Sequence, residues 1–133
     1  MTEPSRMDPA AVVRAVLGAA YGGDLAVLAE HPGLGALAGA LPKVFEAFPD
    51  LRAEYRQHLA EGERVAIHWT LTGTHTGPFF GLAPTGKAVR FQNVAIARVV
   101  EGRIVQFNSE VGWLAVFLQL GALPFRAPSD APG

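Results

Sequence analysis

The sequence predicts an α+β fold, with helices in the first third followed by an antiparallel sheet. Three observations carry this. Apolar residues follow a helical spacing as far as "FPDL" at positions 48–51 and a period of two beyond it. Turn signals, "EGE" at 61–63 and Glu101-Gly102, separate runs of strand length at hairpin distance. No repeat or linker interrupts the 133 residues, so the chain reads as one domain, 1–133. Its core is expected at about 8–123, with a flexible tail at 124–133.

Asp8 before Pro9 is an N-cap followed by proline at the first helical position, and it opens a helix. Val12, Val13, Val16, Leu17 and Ala20 share one face of it, and Gly22-Gly23 stop it. Asp24 can cap a short second helix through Leu28 that ends near His31-Pro32. A third helix is expected from about Leu34 to Ala47, with Leu37, Leu41, Val44, Phe45 and Phe48 on its apolar side and Pro42 as a splitting or kinking point. In the first strand Leu51, Ala53 and Tyr55 alternate with Arg52, Glu54 and Arg56. In the second, Val65, Ile67, Trp69 and Leu71 oppose His68, Thr70, Thr72 and Thr74. "VRFQNVAIARVV" and "RIVQFNSEVGW" are the last two strands, and "LAVFLQLGAL" reads as a short helix or a strand end.

Half the residues are hydrophobic and 17% are charged, which is the composition of a globular protein. A net charge of -1 supplies no basic face for nucleic acid. Without cysteine there is no disulfide, thiol nucleophile or thiolate metal site. No apolar run reaches the roughly 18 residues of a membrane span, and Glu3 and Asp8 give the N-terminus the wrong charge order for a signal peptide. A soluble, cytoplasmic protein that binds neither membrane nor nucleic acid is expected.

"FPDL" (48–51), "EGERVAIHWTLTGTHTGPFFGLAPTG" (61–86), "VEGRIVQF" (100–107) and "LQLG" (118–121) resemble the SnoaL-like polyketide cyclases of the nuclear-transport-factor-2-like fold. The likeness spans about 43–121, and the glycine-proline loop is its most specific element. The resemblance implies a cone-shaped bent sheet over the N-terminal helices, an apolar pocket in its mouth, a small apolar or polyketide-like substrate, no cofactor and a homodimer. Phe79 would belong to the core, and Phe80 or Leu82 to the pocket wall. The loop's glycines are expected at positive φ; without a P-loop lysine they bind no phosphate.

In the family an aspartate on the last strand, shortly after a His-Trp pair, is the acid/base, and a polar residue on the neighbouring strand stabilises an enolate oxygen. Here Phe107-Asn108 stand at the His-Trp pair, Gly112 at the aspartate and Ala97 at the polar position. A period of two puts Asn108 and Glu110 on the face of Gly112, and Phe91, Asn93, Ala95 and Ala97 on one face of the preceding strand. Glu110 would then replace the lost acid from about 6–7 Å along the strand, with Asn108 and Asn93 as hydrogen-bonding partners. Its bland alternative is a solvated rim glutamate.

Among the histidines, His31 reads as helix punctuation and His75 as a pin for the loop. His68 falls on the outer face. A bulge near Arg56-Gln57 would turn His58 inwards with Tyr55. No pair has metal-ligand spacing. Tyr55, His58, Trp69, Phe80, Leu82, Phe91 and Trp113 are the candidate substrate contacts, each weighed against simple packing. The function expected is a cofactor-independent cyclase or isomerase. The alternatives are an epoxide-opening hydrolase or cyclase of the limonene-epoxide-hydrolase type, which lacks its Asp residues here, and a non-catalytic binding protein. The homodimer is expected through the outer sheet face around His68, Thr70 and Arg90.

Overall fold

The computed structural model describes residues 8–122, so the tail expected at 124–133 lies outside the described residues. The fold is α+β: helices precede a four-stranded antiparallel sheet of order β1-β2-β3-β4 that is not closed into a barrel.

Helix α1 (Pro9–Tyr21) begins as its residues dictate, with the Asp8 carboxylate accepting from the Ala11 N–H at 3.2 Å. Its face Val12, Val13, Val16, Leu17, Ala20 and Tyr21 is buried against the sheet, each large side chain contributing about 1.5–3 kcal/mol. Next come two short 3-10 helices, Leu25–Glu30 and Pro32–Leu34, and then α2 (Gly35–Ala47). Two expectations change here. Asp24 makes no side-chain cap, and Pro42 sits inside one continuous helix instead of splitting it.

Strands β1 (Arg52–Glu61), β2 (Arg64–Thr74), β3 (Ala88–Val100) and β4 (Arg103–Val111) pair in sequence. Val65, Ile67, Trp69 and Leu71 of β2 and Val89, Phe91, Asn93, Ala95, Ala97 and Val99 of β3 turn inwards under α1. The expected bulge in β1 is present: Tyr55 pairs with Trp69 and Gln57 with His68, leaving Arg56 over. His58 therefore pairs with Ile67 on the inner face.

A second bulge overturns an expectation. Arg98 pairs with Gln106 but Val99 with Ile104, so Val105 is the extra residue in β4. Past it the phase of the strand reverses. Phe107, Ser109 and Val111 pair with inward Ala97, Ala95 and Asn93, whereas Asn108 and Glu110 pair with exposed Ile96 and Val94. Asn93 and Asn108 thus lie on opposite faces. The bulge is packed from below: a Cβ on Gly33 would come within 2.6 Å of the Val105 and Gln106 backbone, and His31 Nδ1 accepts from the Ile104 N–H at 3.0 Å. His31 is therefore more than punctuation.

Helix α3 (Trp113–Leu120) follows directly and packs on β3. The strand expected through Trp113 ends at Val111, with Gly112 as the helix N-cap.

Candidate functional site

Two hollows open side by side along α2. The inner cavity, of about 390 Å³, is walled by α2 (Leu37, Ala40, Leu41, Val44), by Leu71, Phe91 and Phe107 of the sheet, and by Trp113 of α3. Its polar lining is Tyr21, Asn93, Ser109 and, at the rim, Glu110. A second, wider trough of about 660 Å³ runs between α2 and the glycine-proline loop, and shares Ala40, Val44 and Trp113 with the first.

The floor of the inner cavity joins distant parts of the chain. Tyr21 is the last residue of α1, buried at 3% exposure, and Asn93 stands midway along β3 at 4%. The Asn93 amide Nδ2 donates to the Tyr21 hydroxyl at 3.2 Å, while Asn93 Oδ1 is buried with no partner. Turning the amide over exchanges the free atom and still leaves one unpaired. An orphaned buried polar atom costs about 1–3 kcal/mol, and here it belongs to a residue lining an otherwise apolar cavity. Burial raises the Tyr21 pKa far above its ordinary value, because the phenolate would be desolvated. The phenol therefore stays protonated and can act as a donor. Trp69, directly opposite Asn93, meets Tyr21 edge-on at 5.4 Å, and its Nε1 is also buried without a partner.

Of the expected site residues, Asn93, Phe91 and Trp113 line the inner cavity. Phe91 is also fully packed, and Trp113 stacks on it at 5.3 Å. Glu110 touches the cavity only at its rim, from the strand face opposite to Asn93, and Asn108 is an exposed outer-face residue. The reversed phase beyond Val105 is the reason. Tyr55 and His58 do come together, the Tyr55 hydroxyl and His58 Nδ1 sharing a hydrogen bond at 2.5 Å, with the Arg14 guanidinium 3.8 Å above the Tyr55 ring. They sit on edge strand β1 and line neither hollow, because α1 and Trp69 stand between. Trp69 is a core residue. Leu82 packs on the core and lines neither hollow, while Phe80 lines the outer trough. Tyr21 was missed. As a helix-ending tyrosine beside Gly22-Gly23 its only sequence signal was its polar tip, and its partner is 72 positions away.

The loop resolves into two devices. His75, fully buried, accepts the Thr85 N–H on Nδ1 at 3.1 Å and meets the Thr85 hydroxyl at 3.0 Å, which pins the loop as expected. Gly77 is a close approach instead of a positive-φ position, since a Cβ there would strike the Glu46 carbonyl. Phe79 and Leu82 close a tight hairpin, each N–H bonded to the other's carbonyl. Its central residues, Phe80 (φ 47°) and Gly81 (φ 77°), both have the positive φ of the I′ class.

On the outer face Thr70 is buried: its hydroxyl and the His68 Nε2–H both donate to Gln92 Oε1, at 2.8 and 2.7 Å. Among the described residues no group of histidine and carboxylate side chains is placed to hold a metal, and no helix is long and apolar enough to cross a membrane.

The SnoaL-like polyketide cyclase family model matches residues 5–120. The chain belongs to that family. Solved structures agree with the fold of this SnoaL-like protein. AclR, a candidate hydroxylase of Streptomyces galilaeus, is 26% identical with a TM-score of 0.78, over 91% of this chain and 85% of that one. IdmH, a candidate polyketide cyclase of Streptomyces antibioticus, is 25% identical with a TM-score of 0.75, over 86% and 99%. A candidate SnoaL-like polyketide cyclase of Jannaschia sp. CCS1 is 23% identical with a TM-score of 0.77, over 93% and 99%, a likeness of fold. No curated protein sequence matches the chain.

Proposed function

We propose that this SnoaL-like protein is a cofactor-independent cyclase or isomerase that holds a polyketide-type carbonyl substrate in the inner cavity. Its carbonyl is polarised by the Tyr21 hydroxyl, which the Asn93 amide supports by donating to it, while the free Asn93 Oδ1 accepts from a substrate hydroxyl. The observation that carries this is the buried Tyr21 hydroxyl, bonded by the Asn93 amide and beside the unpaired Asn93 Oδ1, at the floor of an apolar chamber. A carbonyl placed there accepts a hydrogen bond from the Tyr21 hydroxyl as it gains negative charge on the way to an enolate. Donors aimed at developing charge in a water-poor site are the largest single contribution in such chemistry. Side chains supply this polarisation themselves, which is why no cofactor is invoked. Family membership and the candidate cyclase IdmH support the reaction class.

Glu110 keeps a narrower role than a buried acid would have. From the rim it serves as proton acceptor for a substrate carbon at the mouth, not for atoms bound at Asn93. The competing possibility, a small-molecule-binding protein without turnover, draws on the lack of a carboxylate on the inner walls among the described residues. Incubating the protein with a partly cyclised poly-β-ketone and following products by mass spectrometry separates them. Turnover by wild type that is lost in Tyr21→Phe supports the cyclase, whereas binding without any product rejects it.

A homodimer through the outer sheet face is part of the proposal. Leu59, Ala66, Ile96 and Asn108 form one row across all four strands, with Leu59 78% and Ile96 54% exposed. His68 and Arg90 lie further along the same face, whereas Thr70 is buried within the chain. A solution mass of one chain at tens of micromolar protein would overturn it.

A further inference from the structure

We propose that the outer face of the sheet carries a second site, at Arg52, Thr72 and Arg90, which binds a phosphate monoester.

The strand register assembles it. Thr72 of β2 stands directly between Arg52 of β1 and Arg90 of β3, so the three form one row across the sheet. Their chain neighbours Leu71 and Phe91 line the inner cavity, which puts this row on the opposite face. The two arginine Cα atoms lie about 10 Å apart across β2, near enough for both guanidinium groups to reach one ligand over Thr72. Such a pair repels itself unless something negative lies between. The ion pairs among the described residues are Arg56–Glu54 and Arg98–Glu63, and both arginines of the row stand outside them, exposed. The neighbouring hydroxyls are committed, Thr70 to Gln92 and Thr74 to Asp50. Thr72 has an arginine on either side instead.

The row lies in a hollow of about 410 Å³ that Asp50, Thr74 and Gln119 also line. Gln119 is a fixed wall, since its amide accepts the Arg90 N–H at 2.8 Å and donates to the Arg90 carbonyl at 2.7 Å. Asp50 is the one carboxylate in the lining, and its two oxygens accept from the Thr74 N–H and hydroxyl at 2.7 and 2.8 Å. Two cations against one engaged carboxylate leave the hollow positive. Two planar forks and a hydroxyl offer donors on three sides. A phosphate monoester has three free oxygens to meet them, whereas a carboxylate has two and leaves a donor idle. The apolar row through Ala66 is six residues away along β2, about 20 Å, so a dimer centred there leaves this hollow open.

The test titrates the full chain with phenyl phosphate at low salt and follows amide chemical shifts. Signals of Thr72, Gly73 and Arg90 should move, and those of Tyr21 and Ser109 in the inner cavity should not. Arg52→Gln and Arg90→Gln should each weaken binding about tenfold, added salt should weaken it in wild type, and Tyr21→Phe should leave it unchanged. Arg52→Lys should cost less than Arg52→Gln and still cost something, because an ammonium keeps the charge without the fork. Benzoate, with the same ring and a two-oxygen anion, should bind about tenfold more weakly than phenyl phosphate. A phosphoserine peptide separates the sources of the ester: affinity equal to phenyl phosphate assigns a protein-borne phosphate, lower affinity a small molecule, and both keep the site. Phenyl phosphate that moves no outer-face signal, binds the two Gln variants as well as wild type, or is matched by benzoate refutes it. If either Gln variant changes the solution mass and not phosphate binding, the arginines belong to a contact between copies and the inference fails.

Discussion

The amide of Asn93 on β3 donates to the hydroxyl of Tyr21 at the end of α1, 3.2 Å away, at the floor of an apolar cavity. The pair ties the helix layer to the sheet and leaves hydrogen-bonding capacity for something else.

Tyr21→Phe removes the donor and keeps the ring. Turnover of a poly-β-ketone should fall about 10²–10³-fold. The urea midpoint should drop modestly, since Asn93 loses its partner at a cost of about 1–2 kcal/mol. Rates measured alongside unfolding curves separate the two effects, and a full rate in the variant would remove Tyr21 from the mechanism.

Asn93→Leu combined with Tyr21→Phe replaces both polar groups by apolar shapes. Such a swap is near neutral for folding or stabilising, so the double variant should unfold no earlier than wild type while carbonyl ligands no longer bind. A double variant that unfolds markedly earlier would mean the pair is there to hold α1 on the sheet.

Glu110→Gln should lower turnover about 10²-fold or more, because the rim carboxylate takes the proton from the substrate carbon. Asn108→Ala should be silent. An unchanged rate in Glu110→Gln would remove it as the proton acceptor.

His31 makes stability depend on pH. Burial lowers its pKa below the ordinary value; Glu30 opposes the shift and Arg103 adds to it. The folded state therefore binds fewer protons than the unfolded chain near neutrality. The associated stability is fully present above the unfolded value of about 6.5 and is lost as pH falls from there through the lowered folded value. The imidazolium could no longer accept the Ile104 N–H. Urea midpoints measured from pH 7.5 to 5 should fall, and His31→Gln should flatten that slope.

The two bulges show why one part of the site was legible in the sequence and another was not. Around Arg56-Gln57 polar residues break the alternation, so an extra residue could be inferred, and His58 does turn inwards. In β4, Ile104, Val105 and Phe107 are all apolar, and the strand reads equally well in either phase. Only Gly33 and His31, more than 70 positions earlier, settle which residue is extra. The helices, strands and hairpins were written locally and could be read locally. The Tyr21–Asn93 contact was written by packing, and no periodicity announces it.

The extra residue at Val105 also works as a selector. Downstream of it one strand segment carries two complete linings: Phe107, Ser109 and Val111 on one side, Asn108 and Glu110 on the other. Excising Val105 alone would exchange them and turn the present interior outwards, bringing an amide and a carboxylate into the chamber. A lineage of this protein could thus move between an oily binding pocket and an acid-bearing one by a single-codon deletion, with no catalytic residue having to be invented.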